Sequence, residues 1–420
     1  MVGLKNCGFG RQKSDVLNRR VVVTGIGIIT AHGIGRKKNW AKTKSGVSSI
    51  KRITSFDSSK YRGKTGGEAS QFSTTTTLDK LKGKRLDRAS HLLIHTTREA
   101  LADANIIDAV KDIPILLSVG TTLGGMLSGE IFHKEVIKRG INRARLSHVF
   151  DYLAHYQAIN LFKELELKGD FLVFSNACAS GTDAIGHAFN SIRYGDYDVA
   201  ICGGYDTMNE FSFAGFNSLM AITPSLCKPF DKNREGLVLG EGAGILILEE
   251  LEHAIRRNAH ILGEIAGYGA SSDACHMTSP EPSGKCAAIA IQKALKDAGY
   301  PEIDYINAHG TGTKYNDIME TNAITMVFGN KAKEIPVSSI KPMIGHLLGG
   351  AGAVEAIVSL LSILYKTLIP NINYKTPDPE CALNIATEAM GYNIKTILSN
   401  SFGFGGSNAS IIIKDFLWKN

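Results

Sequence analysis

The chain has no Cys-x-x-C pair: its seven cysteines (Cys7, Cys178, Cys202, Cys227, Cys275, Cys286 and Cys381) are odd in number and scattered. That spacing fits neither a disulfide framework nor a zinc site, and the expected compartment is a reducing cytoplasm. Long apolar runs are missing too. The longest, such as 245–248 and 354–364, fall short of the roughly 20 residues a bilayer span requires, so no membrane span is expected. The basic, polar tail 1–19 lacks the apolar core of a secretory signal. Charge of one sign is modest, at a net +7 for 420 residues, and no arginine-aromatic interleaving accompanies it. Nucleic acid is therefore a poor fit, and an acidic protein partner is a better one. The basic clusters 80–88 and 138–145 are its candidate contacts.

What is present reads as a folded α/β chain. Hydrophobic residues are 44% and charged residues 21%, close to the globular average. Runs rich in Val and Ile alternate with helix-period segments, which predicts parallel strands covered by helices on both faces. Segments 21–27, 115–120 and 198–204 read as strands ending in glycine. Beyond a charged helical stretch near 252–259 the plan repeats, with a strand at 262–269, a helix at 286–299 and a strand at 305–307. The expected division is a tail 1–19, a half 20–258 and a half 259–420. In that alignment 171–178 and the helix after it match 335–346 and the helix 349–364. The two turns would then be equivalent.

Those turns carry the chemistry. Cys178 lies in Ser175-Asn176-Ala177-Cys178-Ala179-Ser180-Gly181, between an apolar run and a helix-period segment at 182–194. A sulfur at a helix N-terminus faces unpaired N–H groups and the helix dipole, which predicts a favoured thiolate. His309 lies in Asn307-Ala308-His309-Gly310-Thr311-Gly312-Thr313, and His346 ends a segment that begins Ser338-Ser339-Ile340-Lys341-Pro342. One thiol and two imidazoles at strand-to-helix turns suggest acyl-thioester chemistry. Phe402 and Phe404 stand in a glycine run, where bulky groups among flexible residues suit a moving gate.

Together with Pro229-Phe230-Asp231-Lys232, Gly240-Glu241-Gly242-Ala243-Gly244 and Ser399-Asn400-Ser401-Phe402-Gly403-Phe404-Gly405-Gly406-Ser407-Asn408, these motifs make the chain similar to a known family. From about residue 20 to 414 it resembles the elongating β-ketoacyl-acyl carrier protein synthases, ketosynthases of the thiolase fold. The resemblance implies a five-layered αβαβα unit of two pseudo-duplicated halves. It implies a decarboxylative Claisen condensation between an acyl chain held on cysteine and malonyl-acyl carrier protein. The substrates would ride on phosphopantetheine of the carrier protein, with no metal and no other cofactor. A homodimer is the usual assembly, and a heterodimer with a homologous subunit is the alternative.

Carried onto this chain, the resemblance makes Cys178 the nucleophile and His309 and His346 its partners, supported by Lys341 and Glu355. Glu355 would sit about two and a half turns beyond His346 on one helix. Phe404 and Cys178 would supply the oxyanion hole, with Phe402 and Phe404 at the gate. Thr311 and Thr313 would hold the pantetheine arm. Thr122, Leu123 and Phe216 would wall the acyl pocket, and Lys84, Arg85, Arg143 and Arg145 would touch the carrier protein. Thr122 stands where the family commonly has glycine, and Met220 where it often has an arginine. A thiolase would need a second cysteine in the C-terminal glycine loop, and Phe404-Gly405-Gly406-Ser407 offers none. A non-condensing partner subunit would usually lack Cys178.

Overall fold

The computed structural model describes residues 19–74, 78, 80–81 and 85–416. Within them one order of elements occurs twice. The first pass runs β1 (Val21–Thr30), α1 (Arg88–Asp103), β2 (Pro114–Gly120), α2 (Met126–Arg139), α3 (Ser147–Tyr152), α4 (Tyr156–Leu165), β3 (Lys168–Phe174), α5 (Ser180–Arg193), β4 (Val199–Asp206), α6 (Glu210–Ser218) and β5 (Gly242–Glu250). The second runs β6 (Gly263–Ser272), α7 (Lys285–Asp297), β7 (Tyr305–Asn307), α8 (Lys314–Phe328), β8 (Pro336–Ser338), α9 (Ala351–Leu364), β9 (Thr396–Gly403) and β10 (Ser407–Lys414).

Strand order in the first half is β3-β2-β4-β5-β1, and in the second β8-β7-β9-β10-β6, so the two sheets share one topology. They meet at β1 and β6 through only Val21↔Ile265, Val22↔Glu264 and Val23↔Gly263. The expected parallel strands are present, but the register shows a mixed sheet. β2 is parallel to β3 and β4, β7 is parallel to β8 and β9, and the two-residue strand Asn384–Ile385 is parallel to β8, but the other neighbours in the path are antiparallel. The cause is clearest at β9 and β10: residues 404–406 alone join them, and a parallel pair needs a crossover of a dozen or more residues.

Helices α5 and α9 pack on each other, and each touches strands of both halves. They form the middle layer. Outside, α1 covers β1, β4 and β5 and carries α4, while α7 covers β6 and β10 and carries α8. The result is αβαβα. Helix α9 is buried from Ala351 through Ile363 because its sequence is apolar on every side, as a helix between two sheets must be. Its two serines donate to carbonyls one turn back, Ser359 to Glu355 at 2.8 Å and Ser362 to Val358 at 3.0 Å.

The middle layer is closed by glycine. A Cβ on Gly349 would lie 2.5 Å from the Thr122 nitrogen, and one on Gly204 would lie 2.5 Å from the Gly349 carbonyl oxygen. Backbone therefore touches backbone where the turn after β2, the end of β4 and the start of α9 cross. Among the described residues no helix is long and apolar enough to cross a membrane.

Candidate active site

Strand β3 ends at Phe174, and a 3-10 turn, Ala177–Ala179, sets Cys178 immediately before α5. The same place in the second half, between β8 and α9, holds a short helix Lys341–Ile344 followed by His346. His309 follows β7. The Cys178 sulfur and one ring nitrogen of each histidine all lie within 4.8 Å of one another. All three residues are buried, and the rings meet edge to face with centroids 5.3 Å apart.

Hydrogen bonds fix how the rings face. The Leu348 N–H donates to His346 Nδ1 at 3.2 Å, and the Lys341 ammonium donates to His309 Nδ1 at 3.3 Å. With both Nδ1 atoms accepting, each neutral ring carries its proton on Nε2. Burial, reinforced by the Lys341 charge, holds both imidazoles well below their usual range. They are neutral donors. Lys341 also donates to the His309 carbonyl oxygen at 2.5 Å and pairs with Glu355, both side chains being buried. Burial raises the Glu355 carboxyl, and the ammonium opposes that rise. A thiol and two imidazoles could also form part of a zinc site. An ammonium already bound to His309 argues against a second cation there.

The expectation of a favoured thiolate is corrected. Burial pushes the Cys178 thiol up to about 12, against the Lys341 charge and the Phe404 backbone N–H. A helix end contributes only about 0.3–2 kcal/mol, and removing an anion from water costs more. Position also departs from expectation at Glu355. Helix α9 starts at Ala351, after a 3-10 turn at Leu348–Gly350, so His346 is not on the helix that carries Glu355.

A cavity of about 410 Å³ reaches the sulfur. Cys178, His309, His346, Phe402, Phe404, Thr311, Thr313 and Phe216 all line it. Phe404 stacks on Phe216 at 5.4 Å, and Phe402 meets His309 edge-on at 5.8 Å. The Thr311 and Thr313 hydroxyls are 2.9 Å apart. Leu123 packs in the apolar cluster that encloses Cys178, beside Met208, Phe213 and Leu348. Thr122 is not brought to the cavity wall: its N–H donates to Asp206 at 2.8 Å, and its buried hydroxyl has no partner among the described residues. Arg85, Arg143 and Arg145 are exposed and none lines the cavity, whereas Arg62, Lys314 and Met220 do. Lys84 lies outside the described residues.

Two buried carboxylates were not visible as motifs. Glu320, on α8, accepts the N–H groups of His309 and Gly310 at 2.8 Å each, and the Asn400 amide at 3.3 Å. Burial pushes it up to about 7, against those donors. Asp206 accepts from Thr121 Oγ1 at 2.6 Å, Thr122 N at 2.8 Å, Leu123 N at 2.9 Å and Gly349 N at 2.6 Å. It ties the turn after β2 to the start of α9, and burial pushes it up to about 6. The only sequence signal for Glu320 was an acid three residues after Asp317 on the helix following the threonine turn.

The family model for the β-ketoacyl synthase N-terminal domain matches residues 18–254, and that for the β-ketoacyl synthase C-terminal domain matches 262–375. A 3-oxoacyl-[acyl-carrier-protein] synthase 2 of Staphylococcus aureus (strain N315) is 40% identical over 410 residues, covering 95% of this chain and 99% of its own length. Among solved structures, the ishigamide ketosynthase/chain length factor superposes with a TM-score of 0.90 at 34% identity, covering 95% of this chain and 100% of that one. A type II polyketide synthase acyl-carrier protein in complex with its ketosynthase bound to the hexaketide gives a TM-score of 0.87 at 31% identity, with coverage of 95% and 100%.

Proposed function

The chain belongs to the β-ketoacyl synthase family, and from that premise we propose that Cys178, His309 and His346 carry out its condensation, in fatty acid or polyketide-type synthesis. The protein is an acyltransferase whose partner is an acyl carrier protein. In the first half-reaction the Cys178 sulfur attacks the thioester carbonyl of an acyl-carrier protein. The N–H groups of Cys178 and Phe404 hold the tetrahedral oxygen, and the pantetheine thiol leaves with the sulfhydryl proton. Removing one such donor typically costs about 10²–10³-fold in rate. In the second, malonyl-carrier protein loses CO₂, and the Nε2–H groups of His309 and His346 hold the enolate oxygen. The carbanion attacks the acyl carbon, a carbon–carbon bond forms, and Cys178 departs as thiolate. The product is a β-ketoacyl-carrier protein.

The observation that carries this reading is the hydrogen bond made to Nδ1 of each ring. Each Nδ1 is occupied by a donor, so both Nε2–H groups are free for one developing anion. No step calls for a metal or an organic cofactor, since the acyl groups arrive on phosphopantetheine. The half 20–258 supplies the nucleophile and the half 259–420 both imidazoles. Free cysteines throughout the described residues suit a reducing cytoplasm.

Assembly as a dimer is supported by β3, which among the described residues pairs on one side only and leaves Leu172 44% exposed. Nearby in sequence, Ile137, Phe150 and Tyr152 are exposed apolar residues on α2 and α3. A homologous, non-identical partner would use the same edge, which the likeness to a ketosynthase/chain length factor supports.

The decisive experiment is intact-protein mass spectrometry after incubation with acyl-carrier protein. Wild type should gain one acyl group and Cys178→Ala none; acyl mass retained on the variant would refute the nucleophile.

A further inference from the structure

The cavity has a charged mouth whose cations are not all accounted for. Its charged lining residues, apart from the histidines, are Arg62, Arg234, Glu235, Asp273 and Lys314. Three of these are engaged in holding the fold. Arg234 binds Asp378 and the carbonyl oxygens of Asp231, Thr313 and Lys314. Glu235 accepts from Ser225 at 3.0 Å, and Asp273 accepts from Asn408 at 2.7 Å and from the Glu281 N–H at 2.9 Å. Arg62 and Lys314 make no ion pair among the described residues.

Arg62 is held in place by a segment whose other cations are spent. Lys60 pairs with Glu210 at 2.8 Å, and Lys64 donates to the carbonyls of Ser58, Ser59 and Tyr61. The Tyr61 hydroxyl donates to Glu210 at 3.0 Å. The Gly63 N–H donates to Asn217 Oδ1 at 3.2 Å, and a Cβ at Gly63 would lie 2.3 Å from Ile222 Cγ2, so the segment is pressed against the turn that carries Met220. Every neighbour fixes the loop, and Arg62 alone is left to face the cavity. Lys314 opens α8 directly after Thr313, whose hydroxyl lines the same cavity. With Glu235 and Asp273 already hydrogen-bonded and Arg234 paired with Asp378, Arg62 and Lys314 are the lining cations left to meet an anion.

We propose that Arg62, with Lys314, binds the phosphodiester of the phosphopantetheine arm as the thioester reaches Cys178. This rests on the reading of Cys178 as the acyl acceptor. Arg62 is then a substrate-positioning residue that distinguishes phosphorylated from unphosphorylated thioester carriers. A planar guanidinium meets a phosphodiester through two parallel N–H donors, which fixes the arm in rotation as well as depth.

The test compares acylation of Cys178 by an acyl-pantetheine thioester, which lacks the phosphate, and by the matching acyl-phosphopantetheine thioester. Wild type should prefer the phosphorylated donor by about tenfold or more in second-order rate constant. In Arg62→Ala that preference should fall severalfold, Arg62→Lys should retain most of it, and the double variant Arg62→Ala with Lys314→Ala should bring it to unity. Acyl-carrier protein should lose rate in step with the phosphorylated probe. An Arg62→Ala enzyme that keeps the full preference, or a wild type with none, overturns the proposal while leaving Cys178 in its role. A wild type that accepts no acyl group from any donor removes the nucleophile assignment and this one with it.

Discussion

Lys341 determines the state of its neighbours more than any other single side chain in the site. Its ammonium fixes the His309 tautomer, adds to burial in lowering both imidazoles, and pairs with the Glu355 carboxylate. Because both rings titrate well below the ordinary histidine range of about 6.5, CO₂ release from malonyl-carrier protein should stay flat from about pH 6 to 8. Replacing Lys341 by Met removes a positive charge, so His309 binds a proton more readily and the acidic limb of the pH–rate profile should move upward. The same change leaves Glu355 buried without its partner and should cost about 3–5 kcal/mol in denaturant unfolding. An unmoved acidic limb together with unchanged stability would contradict both roles. Cys178, His309, His346 and Lys341 were legible because each stands inside a contiguous motif at a strand-to-helix turn. Glu320 and Asp206 were not, since what they bind is mostly backbone N–H, which any residue supplies.

At the scale of elements, the strand and helix positions were readable wherever apolar periodicity was strong, as in β7 at 305–307 and α9 near 351–364. Strand direction was not. Val and Ile runs look alike in buried parallel and buried antiparallel strands, and only the three-residue link between β9 and β10 separates them. The thiolate expectation failed for a related reason: helix position can be read from sequence, but depth of burial cannot. The glycine contact between the turn after β2 and the start of α9 makes a direct prediction. Gly349→Ala would force a methyl against the Thr122 nitrogen and the Thr121 Cα, at 2.5 and 2.6 Å. Overpacking of that kind should cost about 1–3 kcal/mol. Since Asp206 joins the same two turns, acylation should slow in parallel with the fall in melting temperature. A variant as stable and as active as wild type would mean that the turns slide apart freely.

For the whole molecule, the β3 edge is where the proposed dimer would form. An edge strand with Leu172 exposed is a surface that natural proteins cover or charge. Leu172→Lys should shift the protein from dimer to monomer in sedimentation velocity at micromolar concentration, and a wild type that is monomeric throughout would refute the pairing. One further consequence follows from the narrow join between β1 and β6, only three residue pairs wide. The sulfur is mounted on one side of that join and both imidazoles on the other, so the spacing between them works as a gauge of how tightly the molecule is shut. Mild denaturant should uncouple the two half-reactions in a fixed sequence. Carbon dioxide evolution, which needs both imidazoles, should fade first, while capture of acyl groups, which needs only the Phe404 amide from the second half, persists longer.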